Sequence, residues 1–263
     1  MVVQDRTRLT DLLNVNREKG STGAEYGAAL PESLFSEGWM HMDVQQTVVF
    51  IMELIGTVAF SASGAMVAIE RNMDIFGVCV LGIFTAVGGG MVRDMILGNI
   101  PSALIDPMYV IVAAGTALVV FFVLFLKKKH LQGRFRTAYD TLMLVMDALG
   151  LGIFTVVGVR TGMGAGYPDN TFLLVFLGTL TGVGGGLMRD MMAGVPPYIF
   201  VKHIYALASI AGACAFILIY RHFGEVAALI AASVLVVAIR LLAAHFRWNL
   251  PRLKIHSQEA NEK

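Results

Sequence analysis

Apolar residues along the chain fall in long blocks, not in short alternating runs. Seven blocks can be read, at about 46–69, 75–92, 104–126, 139–159, 171–189, 199–220 and 225–246. Each approaches the ~20 residues that an α-helix needs to cross a ~30 Å hydrocarbon core. Leu, Val, Ile, Phe and Ala are spread around every helical projection, the pattern of helices that meet lipid or other helices on all sides. The connectors are polar: Glu70-Arg71-Asn72, Lys127-Lys128-Lys129-His130, Tyr167-Pro168-Asp169-Asn170 and Arg221-His222. An open sheet leaves its backbone unsatisfied in lipid, and the strict alternation of a barrel strand is absent. The pattern predicts an all-α integral membrane protein with seven transmembrane helices. Residues 1–43 are polar and mixed in charge, with no apolar core of a secretory signal. They read as a flexible extension, although Met40 and Met42 directly before the first block offer an alternative start.

The blocks repeat. Leu81-Gly82-Ile83-Phe84-Thr85-Ala86-Val87-Gly88-Gly89-Gly90-Met91-Val92-Arg93-Asp94 matches Leu177-Gly178-Thr179-Leu180-Thr181-Gly182-Val183-Gly184-Gly185-Gly186-Leu187-Met188-Arg189-Asp190, at an offset of 96 residues. The same offset carries Gly98 onto Gly194, Pro101 onto Pro197 and Tyr109 onto Tyr205. Upstream, an offset of 94 carries Glu53 onto Asp147, Gly56 onto Gly150, Phe60 onto Phe154 and Gly64 onto Gly158. Residues 44–136 thus form one three-helix repeat and 137–222 a second, with 223–263 supplying an unpaired seventh helix and a tail. An odd number of crossings per repeat inverts the second copy in the membrane, the architecture of many transport proteins.

Orientation follows from Lys and Arg close to the membrane. Lys127, Lys128, Lys129, Arg134, Arg136, Arg71, Arg247, Arg252 and Lys254 fall on one side; only Arg160 and Arg221 fall on the other. That bias predicts a multi-pass protein of the cell (inner) membrane with the N-terminus outside and the C-terminus in the cytoplasm.

The glycine triplets Gly88-Gly89-Gly90 and Gly184-Gly185-Gly186 stand late in their spans. A glycine costs about 1 kcal/mol relative to alanine inside a helix. A lone one in a membrane helix usually marks close packing. Three together, twice, at symmetric positions, are expected to break the helix where protein or water satisfies the freed backbone, lining a path for a solute. Arg93-Asp94 and Arg189-Asp190 follow the triplets. Neighbouring residues point apart on a helix, so by depth Glu53 is the expected partner of Arg93 and Asp147 of Arg189. Such charges either hold helices in register or line and gate a path. Lys202 and Arg240 read as side chains that snorkel to the interface.

Composition narrows the chemistry. The chain is 56% hydrophobic and 15% charged, with a net charge of +1; no basic patch interleaved with aromatics points to nucleic acid. Cys79 and Cys214 lie inside apolar blocks and read as packing residues, and the six dispersed histidines suggest no metal site. No nucleophile–base pair recurs, so neither an enzyme nor a cofactor is expected.

The motif Gly-Gly-Gly-x-x-Arg-Asp ending the second and fifth spans of a three-plus-three-plus-one protein resembles the prokaryotic trimeric intracellular cation (TRIC) channel family, whose repeated unit is also known as a glycine transporter domain. The resemblance covers about residues 46–247. It implies a homotrimer with one pore in each protomer, kinked at the glycine triplets and passing potassium and sodium. Eukaryotic relatives carry a lysine near the glycine motif, where this chain has Arg93 and Arg189. A secondary transporter for glycine or another small amino acid would use the same inverted repeat.

Overall fold

The computed structural model describes residues 43–126, 134–201, 204–246 and 248. The N-terminal extension, the Lys127–Lys129 cluster, Lys202 and the basic tail lie outside them. Nine helices follow in order: α1 (Val44–Glu70), α2 (Ile75–Ile96), the single turn α3 (Ser102–Ile105), α4 (Met108–Leu126), α5 (Arg134–Gly164), α6 (Thr171–Met192), the single turn α7 (Tyr198–Val201), α8 (Ile204–Phe223) and α9 (Glu225–His245). Seven of these are long and apolar enough to cross a bilayer. Asp74 accepts the Gly77 N–H at the start of α2 (2.7 Å), and Asn170 accepts the Leu173 N–H at the start of α6 (3.1 Å).

Span limits moved where the chain turns. The third span is divided: α3 is one turn, and α4 starts only after Pro107, where Asp106 accepts the Met108 N–H at 2.9 Å. The equivalent turn α7 precedes α8 in the second repeat. Both α2 and α6 end on a left-handed glycine, Gly98 at φ 73° and Gly194 at φ 65°. The Asn99 and Val195 N–H groups then close back on the Asp94 and Asp190 carbonyls, at 2.9 and 3.0 Å.

The second repeat packs as an inverted copy of the first. Each of α1 and α5 lies along its successor through a small residue: a Cβ on Gly64 would stand 2.5 Å from Thr85 Oγ1, and one on Gly158 2.6 Å from Thr181 Oγ1. Phe60 and Phe154, equivalent in the repeat, meet with ring centroids 5.3 Å apart. Phe60 presses on Gly150, while Phe154 covers Gly56. All four of these glycines on α1 and α5 are therefore spent on contacts inside one protomer. α9 packs on α8 and α5 and has no repeat partner. The face at which α1 begins is called the N face below, and that at which α9 ends the C face.

Candidate functional site: the crossing of α2 and α6

The triplets do not break their helices. α2 is helical throughout Ile75–Ile96 and α6 throughout Thr171–Met192. They serve instead as the crossing point of the two helices. A Cβ on Gly89 would run into the Thr181 carbonyl oxygen, one on Gly185 into the Thr85 carbonyl oxygen, and one on Gly184 would lie 3.0 Å from Gly89 Cα. Only glycine lets two backbones approach so closely, and the close packing that explains single membrane glycines explains these as well. Thr85 and Thr181 turn their hydroxyls onto the Leu81 and Leu177 carbonyls, both at 2.6 Å. Gly88 lies under the Met188 sulfur. The third glycine of each triplet differs: Gly90 lines a cavity, whereas Gly186 lies 2.5 Å (as an added Cβ) from the Tyr205 hydroxyl.

On the N-face side of the crossing there is a small cavity of about 50 Å³, walled by Glu53, Thr57, Gly90, Arg93, Ser102, Tyr109 and Phe154, among others. That volume holds a water or two, or a partly hydrated small ion. Glu53 accepts a 2.5 Å hydrogen bond from the Tyr109 hydroxyl. Arg93 does not pair with Glu53 as expected. Its Nε donates to Asp94 Oδ1 at 2.8 Å, and the other oxygen of Asp94 accepts from the Ser102 N–H and hydroxyl, at 2.9 and 2.7 Å. The adjacent pair, which α-helical geometry alone would separate, forms because the long guanidinium arm folds back and α3 holds the carboxylate in place. Two carboxylates thus face one guanidinium, and Glu53 shares the cavity with Arg93 without neutralising it.

On the C-face side the equivalent residues close up. Asp147 Oδ1 accepts from Arg189 Nη1 at 2.6 Å, the pair expected from depth. Arg189 also donates to Asp190 Oδ1 (2.9 Å) and to the Ser63 hydroxyl (2.6 Å), and is 1% exposed. Asp190 Oδ2 accepts the Tyr198 N–H at 2.8 Å, as Asp94 does at α3. Tyr205 donates to Asp147 at 3.4 Å. Arg240 on α9 joins this group: it is 2% exposed, with Nη2 3.8 Å from Asp147 Oδ2 and its guanidinium 4.7 Å from the Tyr205 ring centre. It does not snorkel to the interface but turns inward toward Asp147 Oδ2, which accepts no hydrogen bond among the described residues.

Comparison with known proteins places the whole chain. The sequence matches the family model described as "Glycine transporter" twice, over residues 50–124 and 144–221. Over 204 residues it is 34% identical to the UPF0126 inner membrane protein YadS of Escherichia coli, covering 77% of this chain and 94% of the relative. A UPF0126 membrane protein of Deinococcus radiodurans is 33% identical over 207 residues, covering 76% and 89%. Among solved structures, a TRIC cation channel superposes with a TM-score of 0.68 at 34% identity, over 79% of this chain and 98% of that one. The TRIC orthologue from Rhodobacter sphaeroides gives 0.68 at 31% identity, over 77% and 100%. The chain belongs to the TRIC family.

It is thus a multi-pass membrane protein with the TRIC helix arrangement. Applying the repeat offsets to the N-face cavity shows why its C-face twin is filled in this TRIC protein. Thr57 becomes Leu151, Ser102 becomes Tyr198 and Ala103 becomes Ile199. Leu151 is fully buried, and the Arg189 guanidinium stands 5.2 Å from the Tyr198 ring centre. The larger side chains occupy what is open space in the first repeat. Sequence reading singled out Glu53, Arg93, Asp94, Asp147, Arg189 and Asp190 but missed Ser63, Ser102 and the two tyrosines as their partners. Tyr109 and Tyr205 carried a signal, the shared offset; Ser63 carried none, because Val157 stands at its repeat position.

Proposed function

We propose that this TRIC protein is a monovalent cation channel, selective for potassium and sodium over anions, with one path inside each protomer of a homotrimer in the inner membrane. The path starts in the N-face cavity, passes the α2/α6 crossing beside Gly88–Gly90 and Gly184–Gly186, and leaves along the Asp147–Arg189 side. The observation that carries this reading is a carboxylate at membrane depth on open space: Glu53 lines the cavity without an ion-pair partner among the described residues, while the one cavity-lining guanidinium, Arg93, is taken up by Asp94. A charge there is costly unless a counter-ion or water accompanies it, and a mobile cation is the counter-ion that a channel supplies. Its solved neighbours are TRIC cation channels, which supports the same assignment. By its basic-residue bias the N face is the outer one, so a cysteine introduced at 165 should react with an impermeant reagent on whole cells; protection of that site would reverse the orientation.

A glycine or small amino-acid transporter is the second reading, favoured by a cavity that opens on one side of the crossing and is filled on the other. Purified protein in planar bilayers separates the two. A channel passes unitary currents that reverse near the potassium equilibrium potential in a KCl gradient. Absence of current, together with saturable glycine uptake into proteoliposomes, would establish the transporter instead.

A further inference from the structure

We propose that Arg240, from the one span outside the repeat, is the charge that holds the C-face half of the path closed to cations. The inference rests on the channel reading and deepens it by naming the closing element.

The two halves of the path are built from the same parts. Each has a triplet, an Arg-Asp pair, an acid on the first helix of its repeat and a tyrosine hydroxyl on that acid. They differ in charge. Among the described residues of the N-face half, Arg93 pairs with Asp94 and leaves Glu53, on the cavity wall, without a cation; on the C-face side Asp147 and Asp190 meet two guanidinium groups, Arg189 and Arg240. Arg240 cannot have an equivalent in the first half, because α9 is not repeated.

Its contacts are poor ones for a residue that only holds the fold together. Asp147 already receives a 2.6 Å bond from Arg189, and Arg240 stays 3.8 Å from the remaining oxygen. Among the described residues, Arg240 Nε and Nη2 and Asp147 Oδ2 find no hydrogen-bond partner although all are buried. Buried donors without a partner cost free energy, and Asp147 keeps its 2.6 Å bond to Arg189 when Arg240 is replaced, so loss of the second guanidinium leaves no unpaired buried charge. What Arg240 does supply is position. It lies on the face of the Tyr205 ring, whose hydroxyl stands over Gly186, where the N-face half keeps its cavity beside Gly90. A cation approaching that point meets a fixed positive charge in a low-dielectric surrounding, where repulsion is strong. Withdrawal of Arg240 would leave Asp147 to one arginine and release the ring, giving the C-face half the charge balance of the N-face half.

The test is potassium current through purified full-length wild type, Arg240→Met, Arg240→Gln and Arg240→Lys in planar bilayers, with oligomer yield and thermal unfolding in detergent as controls. Met and Gln variants should fold with unchanged or higher thermal stability and pass at least about threefold more time-averaged current, whereas Lys should stay near wild type. Equal currents in Met and wild type would overturn the proposal. So would a Lys variant as open as Met, which would make shape the cause, or loss of the folded oligomer in Met but not Lys, which would make Arg240 structural. If neither wild type nor the Met variant passes current, the channel reading fails and this closing charge with it.

Discussion

Gly90 and Gly89 are neighbours with opposite duties. An alanine methyl at 89 would strike the Thr181 carbonyl, and one at 185 the Thr85 carbonyl, both backbone atoms that cannot turn aside. At 90 the nearest atom to a new methyl is 3.7 Å away, on the guanidinium of Arg93, and the space beyond is the N-face cavity. Gly89→Ala and Gly185→Ala are therefore expected to push α2 and α6 apart and to lower stability by about 1–3 kcal/mol, the usual range for overpacking. Gly90→Ala should fold at least as well as wild type and reduce ion flux by narrowing the cavity. Thermal unfolding in detergent beside potassium flux in proteoliposomes checks both. A Gly89→Ala protein as stable as wild type would mean that the crossing is looser than described. The triplets were legible as special positions, but the reading of a break misjudged the competing effect. The helix-propensity cost of three glycines is outweighed when their missing side chains let two membrane helices touch along their backbones.

At the scale of helices, the duplicated pattern was sufficient to recover seven spans, their pairing into two copies and the inversion of the second. These depend only on span length and an odd helix count, which tertiary context cannot change. The single turns α3 and α7 were not legible, since the mainly apolar residues that follow Pro101 and Pro197 read as the start of the next span. Nor was the swap of partners around Arg93, which depends on Ser102 in α3 drawing Asp94 into place. The Asp147–Arg189 pair was anticipated because depth along α5 and α6 brings it together without help from a loop. That pair links α5 to α6 and, through the Arg189 bond to Ser63, to α1, while Arg240 of α9 stands 3.8 Å from the same carboxylate. Asp147→Asn should therefore leave Arg240 without its carboxylate and Arg189 with Asp190 and Ser63 alone, and destabilise the protein by about 3–5 kcal/mol. A chemical-denaturation or thermal measurement showing less loss than for the glycine variants at the crossing would move the structural weight away from this cluster.

Across the whole molecule, the N-face half keeps open space beside the Glu53 carboxylate, whereas in its twin Leu151, Tyr198 and Ile199 are larger and Arg240 stands beside Asp147. On the proposed path, cations would enter from the N face and meet the barrier toward the C face. The most direct test is single-channel recording of wild type and Glu53→Gln, a substitution that preserves shape and an acceptor for the Tyr109 hydroxyl while removing the negative charge. The account predicts a potassium-selective wild-type current and a unit conductance roughly halved or lower in the variant at low ionic strength, with the difference shrinking as salt screens the site. A Glu53→Gln channel with wild-type conductance at every salt concentration would contradict the claim that cations enter through this cavity.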